Sequence, residues 1–532
     1  MVEGPEITAL ETMQWVGDTA RLGAELHPQR IAIIMPEQNV SISYSELERL
    51  VGRATALLRD QGFKPGDRLA YLGKNHALFY ILLLAAIRGK FIVAPLNWRC
   101  VSHEIHYFLE DSEPKLLFCD PEFSTVAEQA MEGLASPPAL QSTTATPDER
   151  STFITALEQD GPTDPSSAPH DDSVCLLLYT SGTSGKPKGA LCTHKALSIS
   201  RQTEFCFEHF PTWRDGTMVS AMPHFHIGGI SWMLMGLMRQ STCVLTIDPS
   251  GPNIARLLRE HNASTTFAVP TVVRSIVEEV KKTGAPIPSL DIVFYGAAPI
   301  GESLLRDCID VLGCRFGQFY GMTEVTGSAT FLPPASHDLE RPELMQSVGL
   351  PFPGVALDVR DETGNSLPPD TAGELWIRTP TLMTEYWKKP ELTVEVVEDG
   401  WYRSGDGGFI NSDGYLFLTD RIKDIIVSGG ENIYPAEVEE AVRQHPAVLD
   451  VAVVAKPDER WGESVMAVVE NRPGETVDKD TLTAFVRTRL AGFKCPKTVV
   501  FLSALPRTAS GKVQRGKAKE MALQQLSEPQ CS

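Results

Sequence analysis

Between residue 31 and about residue 420 the sequence alternates two kinds of segment. Short apolar runs of four or five residues suit strands. Between them lie longer stretches with apolar residues at helical spacing. Ile31–Met35, Leu69–Leu72, Ile92–Leu96, Leu116–Cys119 and Val174–Leu178 are read as strands. Tyr44–Asp60 is read as a helix, with Leu47, Leu50, Val51, Ala54 and Leu57 along one face. Such alternation predicts an α/β fold built on largely parallel sheets. The most apolar stretches, near Ala77–Ile87 and Ile227–Met238, fall short of the roughly 20 residues that span a bilayer.

Residues 135–150 and 159–172 are rich in Pro, Ser, Thr and Asp, and are expected to be surface loops. The pattern changes near residue 420. A strand at Tyr415–Thr419 leads into Asp420–Asp424. Beyond it lie a helix (Pro435–Gln444), a strand (Val448–Val454) and a helix (Lys479–Leu490), as in a small α+β unit. Charge divides at the same place. The whole chain carries a formal −20, whereas residues 421–532 hold 16 basic and 15 acidic side chains.

An acidic total of this size repels phosphate backbones and argues against nucleic acid as a partner. The ten cysteines contain no CxxC pair, so reduced thiols are expected rather than a disulfide frame or a zinc site. The first residues show no basic stretch leading into an apolar run, and the last match no targeting or prenylation signal, so a cytoplasmic protein is expected. GxGxxG, GxSxG and HExxH are all missing.

The sharpest local signal is Tyr179-Thr-Ser-Gly-Thr-Ser-Gly-Lys-Pro-Lys-Gly189, directly after an apolar strand. Gly182, Gly185 and Gly189 let backbone approach a ligand closely. Thr180, Ser181, Thr183 and Ser184 supply hydroxyl donors, and Lys186 and Lys188 supply positive charge. This is the composition of a polyphosphate cradle. It is not a Walker A loop, since Thr180 stands where a glycine is needed and Pro187 follows Lys186.

This loop resembles the signature of the adenylate-forming superfamily, and seven further motifs follow in the family's order. They are Met222-Pro-His-Phe-His-Ile-Gly-Gly229, Phe294-Tyr-Gly-Ala-Ala-Pro299, Gln318-Phe-Tyr-Gly-Met-Thr-Glu324 and Trp401-Tyr-Arg-Ser-Gly-Asp406. Asp420-Arg-Ile-Lys-Asp424, Val427-Ser-Gly-Gly-Glu-Asn-Ile-Tyr-Pro435 and Pro506-Arg-Thr-Ala-Ser-Gly-Lys512 complete the set. The resemblance implies a large N-terminal domain, residues 1–422, of layered parallel sheets and helices with a small β-barrel-like part. It also implies a mobile α+β domain, residues 423–532. The implied reaction has two steps. A carboxylate attacks the α-phosphate of ATP to give an acyl-adenylate and pyrophosphate, and the thiol of coenzyme A then displaces AMP.

Carried over residue by residue, Lys512 bridges the carboxylate and the α-phosphate. Thr323 binds that phosphate and Glu324 holds Mg²⁺, for which one carboxylate beside phosphates is an ordinary donor set. Tyr320 and Gly321, with Gly296, Ala297, Ala298 and Pro299 opposite, resemble the adenine slot. Asp406 and Arg421 resemble the ribose contacts. Lys423 matches the hinge, Gly429 and Gly430 the passage for the pantetheine arm, and His226 the gate to the acyl tunnel.

The family places the segment after His226 against the acyl group. It contains no carboxylate before Gln240, which argues against amino-acid substrates. Ile227, Ile230, Trp232 and Met233 line the expected pocket, and Gly228, Gly229 and Gly236 suggest room for a ligand. An apolar acid is expected, foremost a medium- or long-chain fatty acid. Aryl, cyclic or steroid side-chain acids, or delivery to a carrier protein, are the alternatives. A homodimer and weak membrane contact are compatible with this reading. From Phe485 to Lys519 there are nine basic residues and no acidic one, a strip expected to meet phosphates.

Overall fold

The computed structural model describes the chain outside residues 8–12, 146–150, 181–186, 212–215, 298–299, 301, 422–423, 425, 429–430, 459–460, 491, 493, 509–510 and 528–532. Its strands form four sheets. The largest has nine strands, in the order Leu350–Pro351, Gly327–Leu332, Arg315–Met322, Ile292–Gly296, Thr265–Ala268, Thr217–Ser220, Thr242–Leu245, Ile31–Met35, Val40–Ser43. Its interior pairings are parallel and its edges antiparallel. A six-stranded sheet runs Ala139–Ser142, Leu116–Cys119, Arg68–Leu72, Ile92–Leu96, Val174–Thr180, Lys188–Thr193, parallel except for its last pair.

Parallel strands sandwiched between helices are apolar on both faces. Ile92–Leu96 and Leu116–Cys119 are buried throughout. The apolar helix Ala77–Gly89 lies buried along its whole length. The amphipathic Tyr44–Asp60 is capped by Ser43, whose side chain accepts from the amide of Glu46. No helix among the described residues is long and apolar enough to cross a membrane.

A third, antiparallel sheet joins Val2–Glu3 to strands between Ala356 and Arg421. The fourth begins at Ile426 and pairs Glu431–Ile433, Ile426–Ser428, Gly462–Asn471 and Val448–Asp458, with Thr498–Leu502 added in parallel. The large unit thus has its strands up to Arg421 and the small unit from Ile426 onward.

One expectation about loops is corrected and the other is borne out. Residues 139–142 form an edge strand beside Leu116–Cys119, because their alternation extends the parallel sheet. Residues 159–172 form the expected surface loop, mostly exposed and without regular structure, and it is pinned to the body. Arg53 and Arg88 donate to the carbonyls of Pro162 and Asp164, and the Asp164 side chain is buried in an ion pair with Arg59.

Candidate active site

The strand Val174–Thr180 returns antiparallel as Lys188–Thr193, with Thr180 opposite Lys188. The cradle residues Ser181, Gly182, Thr183, Ser184, Gly185 and Lys186 lie outside the described residues, between these two fixed ends. A Cβ at Gly189 would stand 2.5 Å from Leu177, so a side chain there would disturb the packing.

The turn Thr323–Val325 lies against the base of this hairpin. Thr180 Oγ1 donates to Glu324 Oε1 at 3.3 Å. Tyr386, which the sequence reading did not single out, donates its phenol to the same oxygen at 2.8 Å. Burial, and then the Glu324 charge, push the Tyr386 hydroxyl well above its ordinary range, so it stays a donor. The Lys188 ammonium lies 5.1 Å from the centre of the Tyr386 ring. Backbone pairing fixes the arrangement: Ala190 bridges Tyr386, and the amide of Trp387 donates to the carbonyl of Gly189. The amide of Met383 donates to the carbonyl of Glu324. In sequence, the only hint of Tyr386 was an aromatic pair, Tyr-Trp, before two lysines in a polar segment.

Tyr320 and Asp406 also come together, the phenol donating to Oδ2 at 2.7 Å. Asp406 is the cross-strand partner of Arg421 through backbone pairing. Opposite Tyr320 runs the neighbouring strand end Gly296–Ala297. A Cβ on Gly296 would meet the carbonyl of Phe319 at 2.5 Å. Ala297 sits at φ 63°, a left-handed conformation that costs a residue with a Cβ about 1–3 kcal/mol. Gly321 is equally constrained, since a Cβ there would stand 1.9 Å from the carbonyl of Gly327. Ala298, Pro299, Lys423, Gly429 and Gly430 lie outside the described residues.

His226 caps the helix Ile227–Met238 through its backbone, and its Nε2 has no partner among the described residues. Burial pushes its pKa down to about 4, so its imidazole is neutral. His224 differs. It stacks on Phe79 at 4.4 Å, makes a 3.2 Å contact with Asn75 and is likewise neutral. Among the described residues no cluster of His, Cys, Asp and Glu suits a metal ion.

Ile227, Ile230, Trp232 and Met233 are all buried. Trp232 is a core anchor. Its indole donates to the carbonyl of Val219 at 3.0 Å, and its ring packs on Phe267 and Phe294. Two glycines expected to leave room for a ligand do not. A Cβ at Gly229 would meet the carbonyl of Pro223 at 2.2 Å, and one at Gly236 would meet Met218 Sδ at 2.0 Å. Gly228 alone of the three faces ordinary contact distances.

Lys512 is exposed, on a turn closed by backbone bonds with Thr508. The adjoining Gly511 faces the large unit, where a Cβ would approach Thr271 Oγ1 at 3.1 Å. Between the units lies a cleft lined by Lys74, Trp98, Arg99, Pro223, Thr271 and Gly511, among others. The basic strip is less open than its sequence suggests. Lys494 pairs with Glu437, Arg507 with Asp450 and Arg515 with Glu439, all within the small unit.

A strand hairpin tied to a carboxylate-bearing turn, and a tyrosine–aspartate pair, sit in the large unit, and the small unit turns its lysine-bearing segment toward that unit at Thr271. Comparison with known proteins gives the family. Residues 21–387 match the AMP-binding enzyme model and residues 437–512 the AMP-binding enzyme C-terminal domain. The fatty acid–[acyl-carrier-protein] ligase ScoC of Streptomyces coeruleorubidus is 36% identical over 96% of both chains. A feruloyl-CoA synthase of an Amycolatopsis species is 36% identical over 90% of this chain and 94% of its own. The o-succinylbenzoate CoA synthetase MenE of Bacillus subtilis, solved with its acyl-adenylate intermediate, superposes with a TM-score of 0.82 at 27% identity, covering 97% of this chain and 99% of its own. The chain therefore belongs to the AMP-binding, adenylate-forming enzymes, in their acyl-CoA synthetase branch.

Proposed function

We propose that this enzyme is an ATP-dependent acid–thiol ligase that activates an apolar carboxylic acid and passes the acyl group to coenzyme A. The observation that carries the reading is the convergence of Thr180, Glu324 and Tyr386 at the base of the cradle, with Tyr320 and Asp406 joined beside it.

In the first step the cradle and Lys188 hold the triphosphate, and Thr323 and Lys512 stabilise charge at the α-phosphorus. Phosphoryl and adenylyl transfer rest on such positioning and charge neutralisation more than on covalent help. Glu324 is a buried carboxylate flanked by hydroxyl groups, and one carboxylate beside phosphate oxygens fits Mg²⁺. When bound, the ion would neutralise phosphate charge. Tyr320 and the Gly296–Ala297 backbone would hold adenine, and Asp406 with Arg421 the ribose. His226, neutral and buried, would separate this site from the acyl pocket.

Gly511 against Thr271 supports a pose in which the Lys512 loop faces the large unit. A boundary at residues 422 and 423, hinged at Lys423, would let the small unit turn and bring Gly429 and Gly430 to the site for the second step. The apolar helix Ile227–Met238 favours a fatty acid of medium or long chain. Delivery to a carrier protein is the second reading, favoured by the similarity to ScoC.

Pyrophosphate release across a panel of fatty, aryl and cyclic acids tests the reading. Acid-dependent release is expected, and none with any acid would contradict it.

A further inference from the structure

The turn that carries Tyr386 does more than present that phenol, because its next three side chains reach other segments. Trp387 Nε1 donates to the carbonyl of Asp111 at 2.8 Å. Lys388 pairs with Glu113 at 2.9 Å. Lys389 turns back to the cradle hairpin, where Nζ donates to the carbonyl of Pro187 at 3.0 Å and to the phenol oxygen of Tyr107 at 2.9 Å. Tyr107 closes the triangle by donating to the same Pro187 carbonyl at 2.9 Å. Lys388 holds φ 53°, a left-handed conformation that the surroundings must enforce in a residue with a Cβ.

Backbone pairing of the hairpin ends at Thr180 opposite Lys188. Pro187, one residue further, has no N–H to give, and its carbonyl is taken up by these two side chains. Lys188, the next residue, is buried. Tyr107 and Asp111 are four residues apart, on one face of the helix Ser102–Ser112. Asp111 holds the first arm of the hairpin, since the phenol of Tyr179 donates to its Oδ2 at 2.7 Å. One helix thus grips both arms. Lys388 is matched to a carboxylate, whereas no carboxylate among the described residues pairs with Lys389. Its ammonium is given to two neutral oxygens at the joint. Hydrogen bonds from a charged donor are stronger than neutral ones, which suits a joint that must not give when a polyanion is loaded.

Resting on the ligase reading, we propose that Lys389 and Tyr107 are positioning residues for ATP, which lock the Pro187 carbonyl and so set Lys188 and the returning arm of the cradle where the triphosphate is received. They act through Pro187, and neither has to touch the nucleotide. Groups held in place beforehand need no ordering when the ligand arrives. Loosening the joint therefore weakens ATP and leaves the acid and coenzyme A unaffected.

The test measures binding of α,β-methylene-ATP with Mg²⁺ to the full-length enzyme by calorimetry, and KM for ATP by pyrophosphate release. Lys389→Met and Tyr107→Phe should each weaken the analogue and raise the ATP KM roughly 10-fold, the scale of one lost hydrogen bond. The two together should be little worse than either, because they share one carbonyl. Lys389→Arg should regain most of the affinity. Lys388→Ala, which removes a charge from the same turn without touching Pro187, should bind as wild type does. KM for the acid and for coenzyme A should not move. Loss of folded enzyme lowers kcat and leaves KM unchanged, so it does not imitate this pattern. Unchanged affinity and KM in both single variants, or an equal loss in Lys388→Ala, overturns the positioning role and leaves the ligase reading standing. Analogue binding without acid-dependent pyrophosphate release overturns the ligase reading, and the affinities of the variants still decide the joint. No binding to wild type overturns both.

Discussion

The phenol of Tyr386 donates to Oε1 of Glu324 at 2.8 Å, and Thr180 reaches the same oxygen from the cradle hairpin at 3.3 Å. One carboxylate oxygen thus ties together three segments far apart in sequence. Tyr386 therefore positions Glu324.

Tyr386→Phe keeps the ring under Lys188 and removes only the hydroxyl. A hydrogen bond to a charged group contributes about 1.5–3 kcal/mol, so kcat/KM for adenylation should fall roughly 10- to 150-fold. Steady-state pyrophosphate release at varied Mg²⁺ checks this. A requirement for more Mg²⁺ in the variant is expected, and unchanged kinetics would remove Tyr386 from the site.

Lys512 is exposed, so Lys512→Ala should leave stability within about 0.5 kcal/mol. Adenylate formation should fall by about 100-fold or more, the cost of deleting one charge-stabilising donor. Supplied acyl-adenylate should still be converted to thioester. Assaying the two half-reactions separately decides whether Lys512 serves only the first.

Trp232 anchors the core through Val219, Phe267 and Phe294. Trp232→Ala should destabilise the fold by about 3–5 kcal/mol. Urea unfolding measures it. A variant of full stability with altered acid preference would instead make Trp232 a pocket wall, as its position after His226 first suggested.

Burial holds His76, His194, His226 and His337 at about 4 and His224 at about 3, below the usual 6.5. In the folded chain they stay neutral, while the unfolded chain binds protons below about 6.5. Stability should be full above that pH and fall as pH drops toward 4, by up to about 1.4 kcal/mol per pH unit for each histidine. Denaturant melts from pH 7 to pH 4.5 give the slope, and a flat profile would contradict these burials.

Much of this was legible because apolar patterning and burial are one phenomenon. Tyr44–Asp60, Ile31–Met35, Ile92–Leu96 and Leu116–Cys119 have the bounds read from sequence. The helix Pro435–Arg443 ends within one residue of its reading. Contacts across the fold were not legible. Nothing local to Tyr386 says that backbone pairing with Ala190 will bring it to Glu324. Nor do Gly229 and Gly236 reveal that the spaces beside them are filled by Pro223 and Met218. The charge of the segment 485–519 was read correctly, but its ion pairs with Glu437, Asp450 and Glu439 bridge distant residues.

The central claim is that one active site makes an acyl-adenylate and then a thioester. Purified enzyme is incubated with Mg²⁺, ATP labelled at the α-phosphate, the best acid of the panel and coenzyme A, and the products are separated. AMP and acyl-CoA in equal amounts, both dependent on the acid, are predicted. ADP as the nucleotide product, or AMP formed without any thioester, would contradict it.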